Sequence, residues 1–153
     1  MTRIALDSNI LAYLAGVART AGDEAKIGRV RALIETIAET NTLIAPVQAL
    51  GELFVVLRRG GAAPSEAREV LLEFAEAFGG AASDTRTALA AADLAVDHKL
   101  QYWDALIVMA SADAGCRLLL SEDMQHGFVT RGLTLVNPLA ATEHPKLTAV
   151  LTA

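Results

Sequence analysis

The chain has 153 residues, 53% of them hydrophobic, and a formal net charge of −5. That size and apolar content exclude a disordered chain and predict one domain over residues 1–153 with a real core. No apolar run reaches the ~18 residues of a membrane span. The lone Cys116 excludes an internal disulfide, and His98, His126 and His144 lack the paired spacing of a zinc site.

Arg3 to Leu6 reads as a short buried strand, with Asp7 or Ser8 placed to cap a helix over Asn9 to Ala15. Only three apolar residues separate Arg3 from Asp7, too few for a secretory leader, and with the single cysteine this points to a reducing, cytoplasmic setting. Gly16 to Gly22 reads as a loop. Asp23 to Thr40 reads as a helix, because Ile27, Val30, Ile34 and Ile37 share one face. Leu43 to Ala45 is a brief strand. Pro46 fits the first turn of a helix to about Arg59, apolar nearly all round and so buried on most sides, which Gly60-Gly61 ends. Pro64 to Phe78 is an amphipathic helix with Ala67, Leu71, Phe74 and Phe78 on its core face; Glu66, Glu69, Glu73 and Glu76 form a solvated stripe without catalytic use. A short strand is expected at Ala81 to Ser83, then helices over Thr85 to about Lys99 and Trp103 to Ala114, the second ended by Gly115. Trp103 continues an apolar stretch and reads as core. Leu118 to Leu120 and Leu133 to Val136 read as the last strands, and the tail after Asn137-Pro138 gives weak signals. Short strands alternating with helices predict an α/β sandwich around a mostly parallel, short-stranded sheet.

Four carboxylates stand out against apolar surroundings. Asp7 follows Ile4-Ala5-Leu6, and Asp123 follows Leu118-Leu119-Leu120-Ser121-Glu122, so both lie just past the carboxyl end of a strand, where open α/β sheets bind ligands. Asp104 heads the run Ala105-Leu106-Ile107-Val108-Met109-Ala110, and Glu52 sits in a helix otherwise starved of charge, with Gln48 on its face. Each has an ordinary role open to it: Asp7 as a helix cap, Asp104 as an acid at a helix N-terminus, Glu52 as the wet face of its helix, Asp123 as a loop residue. A carboxylate against buried surface is costly to keep charged, and several together repel one another. Hard oxygen donors of this kind suit Mg²⁺ or Mn²⁺, which can lower the pKa of a water for attack on a phosphodiester. The negative net charge disfavours strong nonspecific nucleic-acid binding but does not exclude a nuclease, since bound cations change the local field.

The segments Arg3-Ile4-Ala5-Leu6-Asp7-Ser8-Asn9, Tyr102-Trp103-Asp104-Ala105-Leu106-Ile107 and Leu120-Ser121-Glu122-Asp123-Met124-Gln125-His126-Gly127 resemble the PIN-domain ribonucleases, and within them the VapC-type toxins of toxin–antitoxin pairs. The resemblance runs from Arg3 to about Pro138. It matches Asp7 with Asn9, Glu52, Asp104 and Asp123 to the family's acids. It implies a PIN-like three-layer sandwich with a sheet of about four or five strands, and Mg²⁺- or Mn²⁺-dependent endonucleolytic cleavage of structured RNA. It also implies a homodimer and a cognate VapB-type antitoxin that inserts a segment at or near the acids. Asn9 and Ser121 are candidate supporting residues, Glu122 is a rival ligand beside Asp123, and His126 is a loop histidine. Arg58 and Arg59 are candidate phosphate contacts, or else charge complements at a helix C-terminus. A haloacid-dehalogenase-like phosphatase needs a second Asp where Asn9 stands, and a receiver domain needs a late Lys that is missing. The remaining alternative is a PIN-fold RNA- or protein-binding module that does not cut.

Overall fold

Strands such as Ile4-Ala5-Leu6 and Leu118-Leu119-Leu120 have no polar face, so they are stable only with both faces covered. The computed structural model, which describes residues 1–153, satisfies this with a sheet built from β1 (Arg3–Leu6), β2 (Thr42–Pro46), β3 (Gly79–Ala81), β4 (Leu118–Leu120), β5 (Val129–Thr130) and β6 (Leu133–Val136). The six strands run in the order β3-β2-β1-β4-β6-β5. All pairs are parallel except β5 with β6.

The helices are α1 (Ser8–Leu14), α2 (Asp23–Ala38), α3 (Val47–Arg59), α4 (Pro64–Ala77), α5 (Thr85–His98), α6 (Tyr102–Asp113) and α7 (Pro145–Leu151). Right-handed crossovers put α1 to α4, which connect β1 to β2 to β3, on one face, and α5 and α6, which return from β3 to β4, on the other. The packing agrees: α1 lies against α2 and α3, α3 against α4, and α5 against α6. One continuous core of buried side chains joins these layers, from Ile4 to Leu147. No helix is long and apolar enough to cross a membrane. The result is an α/β three-layer sandwich, as the sequence predicts.

The chain order places a switch point at the centre of the sheet. From β1 the chain steps to β2 on one side, and it later returns to add β4 on the other. The residues leaving β1 and β4 therefore emerge side by side at the carboxyl edge, with a crevice between them.

Several expectations need correction. The sheet has six strands rather than four or five. Its third strand is Gly79–Ala81 rather than Ala81–Ser83, because Phe78 is already extended and Gly79 pairs with Ile44. The unpredicted β5 forms a hairpin with β6 through Arg131-Gly132, both at positive φ (49° and 78°), which is the geometry of a tight two-residue turn. Pro46 closes β2 and stands at the N-cap of α3, with extended backbone, rather than in the first helical turn. Buried residues of α3 form one stripe, Ala49, Leu53 and Leu57, while Val47 and Val55 face outward. On α4 only Ala67 is fully buried, Leu71 and Phe74 being half-buried, as is Phe78, which lies just past the helix end; its four glutamates are exposed. Trp103 is not core: it is 50% exposed, because it sits in the first turn of α6, before the buried stretch Ala105 to Ser111. The tail forms α7, with Pro145 in its first turn and Leu147 buried.

Candidate functional site

Asp7 leaves β1 into the crevice and caps α1, its Oδ1 accepting from the Ser8 backbone N–H at 2.7 Å. Oδ2 accepts from the Ser121 hydroxyl at 2.6 Å and from Asn9 Nδ2 at 3.2 Å. That same Asn9 nitrogen donates to Asp123 Oδ2 at 3.1 Å, so one amide tethers the carboxylates that follow β1 and β4. Asn9 Oδ1 in turn accepts from the Glu122 N–H at 3.1 Å, and Ser121 Oγ accepts from Met124 N–H at 3.2 Å. Asn9 and Ser121 are buried, so the loop after β4 is fixed to the start of α1 by side chains shielded from water.

Glu52 approaches from α3, where Ser8 Oγ donates to its Oε1 at 3.4 Å. Asp104 enters from the first turn of α6, whose N-cap Gln101 accepts from the Asp104 N–H at 3.0 Å. The electrostatics tie these groups together. Burial, opposed in part by the hydrogen bonds from Ser121 and Ser8 and reinforced by the charges of Asp104 and Asp123, pushes Asp7 from its ordinary 3.8 up to about 6. Burial and the charges of Asp7 and Asp104 push Glu52 from 4.5 to about 6. Asp104 is raised by burial and by Asp123. No lysine or arginine forms an ion pair with any of the four. The structure thus gathers Asp7, Glu52, Asp104 and Asp123 at one rim without a protein counter-charge.

Glu122 behaves differently. Its carboxylate accepts from Tyr13 OH and pairs with Lys26 Nζ at 2.8 Å, and Lys26 also reaches Asp23 at 3.8 Å. Glu122 therefore faces α1 and α2 with its charge already matched. Sequence reasoning missed this network: its members lie far apart in the chain and share no local pattern. His126 is exposed, accepting from the Asn137 N–H at 2.9 Å and stacking edge-on against His144. Arg58 donates to the Ala62 carbonyl at 2.7 Å, whereas Arg59 lines a trough beside Glu52.

The donor set fits a hard divalent cation: carboxylate oxygens only, with the pKa values of Asp7, Glu52 and Asp104 raised and no competing cation. No three His, Cys, Asp or Glu side chains close on a single point. Mg²⁺ tolerates this, since it keeps several waters and binds through one or two carboxylates. Because Asn9 is the shared donor, Asn9→Ala should destabilise the protein by about 1–3 kcal/mol, the cost of stranding buried polar partners. Urea unfolding of the two proteins at neutral pH checks this.

The family model of the PIN domain matches residues 4–128. No curated protein matches the chain. Among solved structures, Mycobacterium tuberculosis VapC20, a sarcin-ricin loop cleaving toxin, is similar to it at 17% identity with TM-score 0.60, over 76% of this chain and 86% of its own. VapBC2 from Rickettsia felis, bound to a DNA fragment from its promoter, shares 14% with TM-score 0.62, over 88% and 97%. A toxin–antitoxin complex from Klebsiella pneumoniae shares 18% with TM-score 0.62, over 88% and 97%. At these identities the likeness is one of fold.

Proposed function

The chain belongs to the PIN domain family, and from that premise we propose that it is a VapC-type toxin, an endoribonuclease that cleaves structured cellular RNA with Mg²⁺ or Mn²⁺. The observation that carries this reading is the set of four carboxylates at the switch point, two of them (Asp7 and Asp123) tied by one buried amide and none paired with a protein cation. Asp7, Glu52, Asp104 and Asp123 would hold Mg²⁺ or Mn²⁺, some directly and the others through its bound waters. When bound, it supplies Lewis-acid activation of water and charge stabilisation at the phosphodiester. Asn9 holds the Asp7 and Asp123 carboxylates toward each other, and Ser121 fixes the rotamer of Asp7 through its hydroxyl. Gln101 anchors the first turn of α6 and so the height of Asp104 above the rim.

Four unpaired carboxylates also suit an inhibitor that brings a cation. A VapB-type antitoxin placing an arginine at the rim would make charge-assisted hydrogen bonds there and exclude metal. The similarity to solved toxin–antitoxin complexes supports such a partner. We further propose a one-domain, cytoplasmic protein that is a homodimer when free, as its resemblance to VapC-type toxins implies.

Incubating purified, antitoxin-free protein with total cellular RNA in Mg²⁺, in Mn²⁺ and in chelator tests the reading. Discrete fragments that need metal are expected. Folded protein that binds RNA and yields no fragments in any condition would overturn it, in favour of a non-cleaving RNA-binding module.

A further inference from the structure

A trough meets the acid cluster at Glu52. It runs along α3 past Gln48, Gly51, Val55 and Val56 to Arg59, with a volume of about 350 Å³. A second hollow of about 280 Å³ continues it, sharing Val56 and Arg59 and reaching Arg19 on the loop after α1. Arg19 and Arg59 form no ion pair, in a protein with an excess of acids. The Arg19 loop is a built feature: the buried Asp23 carboxylate accepts from the Arg19 N–H at 2.9 Å, from the Thr20 N–H at 3.2 Å and from the Thr20 hydroxyl at 2.9 Å. These donors hold Asp23 below the usual carboxylate range, so the anchor stays ionised.

We propose that this trough carries the RNA strand on one side of the cut, with a phosphate of a neighbouring nucleotide held between Arg19 and Arg59. This rests on the ribonuclease reading above. If the scissile phosphate sits at the carboxylates, the strand must leave along a surface continuous with them, and this trough reaches Glu52. Seven residues of helix separate Glu52 from Arg59, an axial rise of about 10 Å, which a nucleotide or two can cover. Two free guanidinium groups at that distance complement a phosphate and offer it forked hydrogen bonds. Gly51 fits the same picture. A glycine inside a helix costs roughly 1 kcal/mol against alanine, yet a Cβ here would meet no atom within 4 Å, so protein packing does not require it. It leaves the trough floor bare between the acids and the arginines.

The test uses end-labelled total cellular RNA as the probe, for binding in chelator and for cleavage with Mg²⁺. The R19Q/R59Q double variant should raise the half-saturating RNA concentration about ten-fold or more, as expected when charge-assisted hydrogen bonds are removed, with the maximal rate unchanged. Its salt dependence of binding should become shallower by about 0.7 log per log for each phosphate of a single strand that is no longer neutralised. Gly51→Leu, which fills open space and favours the helix, should raise half-saturation in the same way. Arg68→Gln on the exposed face of α4 controls for net charge and should match wild type. If wild type cuts RNA and both R19Q/R59Q and Gly51→Leu keep its half-saturation and salt slope, the trough is not the RNA path and a peptide becomes its better occupant. If wild type neither binds nor cuts RNA, the ribonuclease reading itself fails and takes this inference with it.

Discussion

Replacing Asp7 by Asn is expected to lower metal-dependent RNA cleavage by at least about 10²-fold, because removing one anionic ligand forfeits several kcal/mol of metal-assisted charge stabilisation. The fold should survive. An amide at this position keeps an oxygen for the Ser8 N–H, the Ser121 hydroxyl can turn to accept from the new NH₂, and the Asn9 amide, which loses Asp7 Oδ2 as an acceptor, keeps Asp123 Oδ2. The substitution also removes a buried charge whose protonation is already favoured by burial. Cleavage of total RNA, read beside circular dichroism and a Mg²⁺ titration, separates lost chemistry from lost structure. Asp104→Asn is the companion: its carboxylate accepts no hydrogen bond within the protein, so its removal perturbs nothing but charge and ligation. Wild-type rates from both variants would sink the assignment of these acids.

The strand–carboxylate junctions are legible in the sequence for a physical reason. A parallel sheet buries both faces, so Ile4-Ala5-Leu6 and Leu118-Leu119-Leu120 announce themselves as apolar runs, and the first polar residues after them must emerge at the carboxyl edge. Glu52 and Asp104 are less legible: each has an equally good local role, and only the three-dimensional fold brings their charges to Asp7. Where the sequence misleads, burial is the cause. An apolar run does not say which side of a helix faces the core, so Trp103 and the outward valines of α3 read as buried. The short β5 and the amphipathic α7 bury little, Val129 being exposed and Leu147 being the sole buried residue of its helix, and so leave almost no pattern. Asp23 shows the opposite limit. It reads as the first residue of a helix, while its work is to tie down the Arg19 loop through bonds back to residues 19 and 20.

The same carboxylates should make metal-free protein less stable as pH rises, the reverse of ordinary acid denaturation. Asp7 is raised from 3.8 to about 6 by burial, so folding favours its protonated form. The stability linked to that proton is complete below about pH 4 and is lost as pH climbs through about 6, with no further change above. For this buried group the loss is on the order of 3 kcal/mol. Glu52 and Asp104 shift in the same direction and add to it, with a smaller effect because both are partly exposed to solvent. Asp23 and Asp84 oppose it at the acid end: their pKa values are lowered by N–H donors from the chain, so their contribution holds above the ordinary Asp range and fails as pH falls below it. Chelated protein should therefore melt highest near pH 5 and several degrees lower at pH 8. A divalent cation binds only the ionised carboxylates, so added Mg²⁺ or Mn²⁺ should raise the melting temperature strongly at pH 8 and little at pH 5. Asp104→Asn should recover part of the pH 8 loss in chelator and weaken the metal response. Thermal melts at both pH values, with and without metal, decide the matter: a chelated protein equally stable at pH 5 and pH 8, or a metal shift of equal size at both, would mean that these four acids do not share one field.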